Sequence, residues 1–289
     1  MMTIKDALKY GKNVLMQHSP ASSTRRDVYV LLEHVLQTNR TALYAYPERE
    51  LTAEQEQHYL SLLQRHLHNE PLAYLTGHQE FYGLDFVVDN RVLIPRPETE
   101  LLIEETLRIV HERLNTGQTP VVADIGTGSG AIPITLAVEE PRLPLLYGVD
   151  ISPDALDVAR INCEQHHVEE RVRLLQGDLL APLPEPVDII TANLPYVGLD
   201  ERDILTPDVY DYEPHLALFS GQEGLDLLQR FLQEVQQGDK IRNNGILLLE
   251  IGYRQRAPLV TMLNSLFPNA RVLSKKDYAG WDRMLQVYL

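Results

Sequence analysis

An apolar strand in IITANLPYVG, Ile189–Gly198, stops at Asn193-Leu194-Pro195-Tyr196. An asparagine at a strand end offers one acceptor oxygen and one NH2 donor at a fixed place. Pro195 disfavours the helical region for the residue before it, so Leu194 is held extended. Other polar residues end the preceding strands: Asp124 in ADIGTGSGAI, Asp150 in GVDIS and Asp178 in QGDLL. Gly126, Gly128 and Gly130 let a strand-to-helix turn bring its backbone close to a ligand. The helix that follows adds a positive dipole end suited to a carboxylate. Asp150 can accept both hydroxyls of a ribose, and Asp178 can face an exocyclic amino group. Each residue alone reads as a cap or a turn. Together they point into one crevice beyond the carboxyl ends of parallel strands. Gly126-x-Gly128-x-x-Ala131 also fits the dinucleotide fingerprint, a weak signal by itself.

These residues need a scaffold of alternating elements. From Val121 the chain reads as strand (PVVADI), helix (GAIPITLAVE), strand (LPLLYGVD), helix (SPDALDVARINCEQH) and strands (RVRLLQGD, VDIITAN). A helix (GLDLLQRFLQEVQQ), a strand (GILLLEIG), a helix (APLVTMLNSLF) and two closing strands (ARVLSKKD, RMLQVYL) follow. This alternation predicts a mostly parallel sheet covered on both faces. Upstream, residues 1–75 read as a helical domain that recognises a partner. It includes IKDALKYGKNVLM, a helix capped at Ser23 or Thr24, and a helix starting at Thr52 with Glu54 and Glu56 in its first turn. Residues 76–96 read as a β-hairpin linker, LDFVV and RVLI joined at Asp89-Asn90. Residues 97–289 form the main domain, opened by a helix with Pro97 in its first turn.

Composition limits the chemistry. The net charge is −15, yet residues 1–75 hold 8 basic and 8 acidic side chains. The whole excess therefore lies in the remaining 214 residues, with 18 basic and 33 acidic. Such a surface repels a phosphate backbone and suits a small molecule or a basic protein. No apolar run of about 18 residues predicts a membrane span, and MMTIKDALKYGKN lacks the layout of a secretory signal. Cys163, the only cysteine, excludes an intrachain disulfide and points to the cytoplasm. Beside His166 and His167 it reads as a buried thiol rather than a metal ligand, and histidines 18, 34, 58, 66 and 68 are scattered.

DIGTGSG, GVD, GDL and Asn-x-Pro-Tyr resemble class I, Rossmann-like methyltransferases that use S-adenosylmethionine. LIPRPETE (93–100), YEPHLALFSGQEGLDLL (212–228) and DYAGWDRML (277–285) narrow the resemblance to the PrmC/HemK family, the N5-glutamine methyltransferases of peptide chain release factors. The resemblance implies a seven-stranded sheet with S-adenosylmethionine over Gly126, Thr127, Gly128, Ser129 and Gly130. Its ribose would lie on Asp150, and its adenine on Asp178 and the backbone of Leu179. Leu194, Phe219, Ser220 and Gln222 depart from the family's commonest wording.

The implied substrate is the glutamine of a Gly-Gly-Gln tripeptide. Its amide nitrogen is a weak nucleophile and needs two acceptors that take its hydrogens and aim it. The side-chain oxygen of Asn193 and the carbonyl of Leu194 suit that role, with Pro195 fixing the backbone and Tyr196 packing its ring on the substrate. Asn193 must tie its own NH2 elsewhere for its oxygen to face the substrate. Arg96 is expected to pair with a carboxylate, and Glu98 and Glu100 to shape entry or favour the helix start. A ribosomal-protein glutamine, an adenine amino group flipped from nucleic acid and a cofactor-binding module without catalysis remain the competing readings.

Overall fold

The computed structural model describes residues 2–18 and 24–289. The chain divides into two compact units, one running through Gly77 with Thr206–Tyr212, the other comprising His78–Leu205 and Glu213–Leu289.

The first unit is helical: α1 (Ile4–His18), α2 (Thr24–Leu36), α3 (Arg40–Ala45), α4 (Ala53–Leu67) and α5 (Leu72–Thr76), with a later short helix, Pro207–Tyr212. Its core gathers Ile4, Ala7, Val28, Leu31, Leu32, Leu62 and Leu63 from the apolar stripes of α1, α2 and α4. Thr52 caps α4 in a capping box with Gln55, each side chain bonding the other's backbone N–H. Of the cap expected at Ser23 or Thr24, Ser23 lies outside the described residues, and Thr24 is the first residue of α2. The short helix α3 was not legible as a period, because six residues hold less than two turns.

The second unit opens with a hairpin, β1 (His78–Phe81) and β2 (Leu84–Val87). Its turn is Tyr82-Gly83 rather than the expected Asp89-Asn90, and Arg91–Ile94 is not a strand. Tyr82 and Gly83 have φ of 52° and 76°, the left-handed pair that a two-residue hairpin turn requires. Asp89 instead takes the guanidinium of Arg91, at 2.6 Å, and closes a local loop.

The main sheet has seven strands in the order β5-β4-β3-β6-β7-β9-β8. Here β3 is Val122–Ile125, β4 Leu146–Asp150, β5 Val172–Gln176, β6 Val187–Ala192, β7 Ile241–Glu250, β8 Arg271–Lys276 and β9 Asp282–Tyr288. The first five in that order run parallel, and β9 pairs antiparallel with both β7 and β8. Helices α6 (Glu100–Asn115), α7 (Ala131–Glu139), α8 (Pro153–Gln165), α11 (Asp226–Gln237) and α12 (Arg256–Leu266) accompany the sheet. The short helices α9 (Pro207–Tyr212) and α10 (His215–Leu218) fall between β6 and α11 in sequence. The central strands β3, β4 and β6 are buried nearly throughout, as a sheet covered on two faces demands: all four residues of β3 are buried. The chain steps from β3 to β4 on one side, and β6 joins β3 on the other. That reversal opens a crevice at the carboxyl ends of β3 and its neighbours. No helix among the described residues is long and apolar enough to cross a membrane.

Candidate active site

A cavity of about 270 Å³ occupies that crevice, near the lower end of the about 300–1,000 Å³ usual for small-molecule clefts. Gly126, Thr127, Gly128, Ser129, Asp150, Asp178, Leu179, Asn193, Leu194 and Pro195 all line it. Gly130 and Tyr196 do not. Parallel registry explains the convergence. Ile125 pairs with Val149 on one side and Ala192 on the other, so Gly126, Asp150 and Asn193 each follow directly on a paired position.

The glycine turn is a close-approach structure. Gly126, Gly128 and Gly130 have φ of 76°, 54° and 80°, backbone that disfavours any other residue. A Cβ on Gly128 would meet nothing within 4 Å, whereas one on Gly126 would sit 3.0 Å from Leu194 Cδ2. The glycine at 128 thus leaves room for a ligand, and the one at 126 leaves room for the protein. On Gly130 the Cβ would press Ile134 at 2.8 Å, a packing role that places this residue behind the cavity wall.

Asp150 accepts the N–H of Gly128 at 2.8 Å through one oxygen and that of Ser152 at 2.9 Å through the other. Burial raises its carboxyl above the ordinary range, against these two bonds. A carboxylate has about four lone-pair positions, so acceptor capacity remains on the cavity side. Asp178 pairs with Arg230 of α11 at 2.5 Å, and Leu179 takes a φ of 45° that turns the chain sharply beneath the cavity. Asp124 is buried under the glycine turn and accepts the hydroxyl of Thr191 at 2.8 Å. Its second oxygen and the Thr127 hydroxyl are buried without a hydrogen-bond partner. Burial pushes the Asp124 carboxyl up to about 7.

At Asn193 the amide is tied as its proposed role requires. Its Nδ2 donates to Thr99 Oγ1 at 3.1 Å, and that hydroxyl donates to Glu250 Oε2 at 2.7 Å. Tyr196 donates to the other Glu250 oxygen at 3.2 Å. Its ring packs on the core of the sheet, and burial raises its phenol. Leu194 is only 3 % exposed, part of the same core. The Tyr196 carbonyl accepts from Gln255 Nε2 at 2.8 Å, and a Cβ on Gly224 would collide with it.

Similarity to known proteins decides the family. Residues 6–77 match the PrmC N-terminal domain and residues 102–206 the methyltransferase small domain. The release factor glutamine methyltransferase of Koribacter versatilis (strain Ellin345) is 41% identical over 264 residues, 89% of each chain. That of Bacillus anthracis is 38% identical over 287 residues, 98% of each chain. The chain belongs to the release factor glutamine methyltransferase family. Among solved structures, the human methyltransferase 10 domain containing protein matches with a TM-score of 0.51 at 16% identity, covering 72% of this chain and 88% of that one, a likeness of fold.

In this member of the release factor glutamine methyltransferase family, several residues of the site were not legible in advance. Thr99 holds the Asn193 amide from 94 residues away along the chain, and Glu250, which takes the Thr99 hydroxyl, lies 151 residues beyond Thr99. The one available signal was a lone acid ending the apolar strand GILLLE. Asn162, wholly buried in α8, donates to the carbonyls of Val87 at 3.0 Å and Ser129 at 2.9 Å, and so ties the hairpin to the glycine turn. Arg96 pairs with a carboxylate as expected, and the partner is the buried Glu213, which also accepts the Ile94 N–H at 3.2 Å. Glu98 and Glu100 do not line the cavity, and Glu100 accepts the Tyr82 N–H at 3.1 Å. The departures at 219, 220 and 222 sit in a loop with defined turns. Gly221 and Gly224 have φ of 69° and 73°, and Ser220 Oγ accepts the Leu227 N–H at 2.7 Å. Cys163 is buried with its thiol pushed up to about 12, and no metal-binding cluster occurs among the described residues.

Proposed function

We propose that this chain transfers a methyl group from S-adenosylmethionine to the side-chain amide nitrogen (N5) of the glutamine in the Gly-Gly-Gln motif of peptide chain release factors. The observation that carries this reading is the fixed amide of Asn193. Its NH2 is held by Thr99 at 3.1 Å, which leaves Oδ1 as a free acceptor at the edge of the cavity.

The residues of the cavity suit the methyl donor. The open space over Gly128, the spare acceptor capacity of Asp150 and the left-handed turn at Leu179 match a ribose and an adenine in extended binding. Gly126, Thr127, Gly128, Ser129 and Gly130 would cradle the amino-acid end, Asp150 the ribose, and Asp178 with Leu179 the base. When bound, S-adenosylmethionine supplies an electrophilic methyl carbon. The chain's task is then positional. Asn193 Oδ1 and the Leu194 carbonyl each accept one hydrogen of the substrate amide. Its nitrogen lone pair is thereby turned toward the donor. Pro195 holds Leu194 extended, and the Leu194 side chain seats on Gly126. Such alignment can lower a barrier by up to about 7–11 kcal/mol in favourable cases. Tyr196 braces the Asn193 strand end through Glu250, and a ring contact with the glutamine is its second proposed role.

The excess of 15 acidic residues in the larger part of the chain suits a basic protein surface around the target glutamine and disfavours direct contact with nucleic acid. The N-terminal helical unit is assigned to partner recognition, and the reaction to the cytoplasm. Labelled S-adenosylmethionine offered with purified release factor, ribosomal proteins or nucleic acid tests the reading. Label should enter the release-factor glutamine alone. Asn193→Ala should slow single-turnover methylation about 5- to 150-fold, the equivalent of one lost acceptor worth about 1–3 kcal/mol. Label found only in nucleic acid, or an Asn193→Ala rate equal to wild type, would sink the proposal.

A further inference from the structure

A hydroxyl between two partners has one hydrogen to give. Thr99 Oγ1 lies 2.7 Å from Glu250 Oε2 and 3.1 Å from Asn193 Nδ2. Burial raises the Glu250 carboxyl, and the Thr99 and Tyr196 hydroxyls that donate to its two oxygens, with the charge of Arg283, oppose this. In its ionised form the carboxylate can only accept, which commits the Thr99 hydrogen to Glu250. The Thr99 oxygen is then left as an acceptor, and only the NH2 side of the Asn193 amide can satisfy it. Without that constraint an asparagine amide can turn over about its last bond at little steric cost. Turned over, Asn193 would present N–H groups to the substrate amide, donor against donor. The link between Thr99 and Glu250 is shielded from water, at 5 % and 1 % exposure, while Asn193 is half-buried at the cavity edge. Water is therefore not at hand to replace a missing partner.

We propose that Glu250, acting through the Thr99 hydroxyl, is a positioning residue that fixes the direction of a three-residue hydrogen-bond chain and so turns Asn193 Oδ1 toward the reacting amide. This inference rests on the glutamine-methylation reading for the identity of that amide. Thr99 lines the cavity and Glu250 does not, so Glu250 acts on the site only through the hydroxyls it accepts. The second Glu250 oxygen takes the Tyr196 hydroxyl at 3.2 Å. One carboxylate thus organises both polar ends of the Asn-Leu-Pro-Tyr segment. Glu250 ends β7 directly beside the end of β6, where Ala192 pairs with Leu249, and this registry places it under Asn193. A neutral side chain in its place cannot serve two hydroxyl donors in the same way, since an amide has one oxygen.

The test uses the full chain with a release factor as substrate. Thr99→Val keeps the shape and removes the acceptor. The expected result is a fall in kcat of about ten-fold with cofactor affinity changed by less than about two-fold. Thr99→Ser keeps the hydroxyl and should restore kcat to within about three-fold of wild type. In an Asn193→Ala background Thr99→Val should cost nothing further, because the residue it orients is gone. Glu250→Gln, which leaves one of two hydroxyls without its acceptor, should also lower kcat at unchanged cofactor affinity. The proposal is overturned if Thr99→Val and Thr99→Ser behave alike, or if Thr99→Val and Asn193→Ala losses simply add. If Thr99→Val does not fold, equal kcat in Glu250→Gln and wild type overturns it instead. A wild-type chain inactive on release factor would remove the underlying reading, whereas an active wild type with an unaffected Thr99→Val would remove this inference alone.

Discussion

Asp124 makes the stability of the methyltransferase unit depend on pH in a direction opposite to that of a salt-bridged carboxylate. Its side chain is buried beneath the glycine turn and only one oxygen has a donor, the Thr191 hydroxyl. Burial raises the folded carboxyl from the ordinary 3.8 to about 7. Between those values the folded state holds a proton that the unfolded chain has released. Stability from this group is therefore complete below about pH 4, declines as pH rises through about 7, and is level above that. The interval corresponds to about 4 kcal/mol, taking 1.36 kcal/mol for each tenfold difference in proton affinity. Asp124→Asn keeps the shape and the acceptor for Thr191 and cannot ionise. Urea unfolding of both proteins, followed from pH 4.5 to 8.5, measures the difference. The substituted protein should gain on wild type by a few kcal/mol as pH rises, and most of that gain should come below pH 7.5. A constant gap across the range would refute the assignment of a protonated Asp124 at the base of the site.

Three further expectations concern the substrate side. Leu194→Pro should keep single-turnover methylation within about three-fold, because the proposed acceptor there is a carbonyl; the lost packing of a side chain 3 % exposed should cost about 1–3 kcal/mol in denaturant unfolding. Gly224→Ala should destabilise by about 1–3 kcal/mol and slow methylation, since φ is 73° and the new Cβ collides with the Tyr196 carbonyl; equal unfolding midpoints would contradict this. Association with release factor, measured by stopped flow, should slow several-fold as salt rises from about 0.05 to 0.3 M if acidic steering operates. A rate flat with ionic strength would exclude it.

The strands, the glycine turn and the polar strand ends were legible because they obey local rules. A parallel strand buried on two faces is apolar over its length, and a ligand-facing turn needs glycine. Asp150 and Asn193 could be found because each stands one step past such a run. What was not legible depends on contact at a distance. Thr99 sits in a first helical turn, where a threonine has many local explanations, and meets Glu250 only after the sheet forms. Asp178 was visible, yet its partner Arg230 is 52 residues further on. The hairpin was misplaced because Asp89-Asn90 carries the favoured turn chemistry. Tyr82-Gly83, which makes the turn, has a bulky residue at a positive φ, tolerated with Glu100 accepting its N–H. Short helices such as His215–Leu218 carry too few residues for a period to show.

The registry of β3 with β6 has a consequence beyond stability. Ile125 pairs with Ala192, and the next residue on each strand is Gly126 or Asn193. The spacing between the proposed cradle for the methyl donor and the proposed anchor for its acceptor is therefore set by backbone hydrogen bonds between two central strands. It acts as a ruler cut into the middle of the sheet. A slip of one residue would shift one mark by about 3.3 Å and send its side chain to the other face. Loops around this ruler can change in length or wording while the spacing between residues 126 and 193 stays the same.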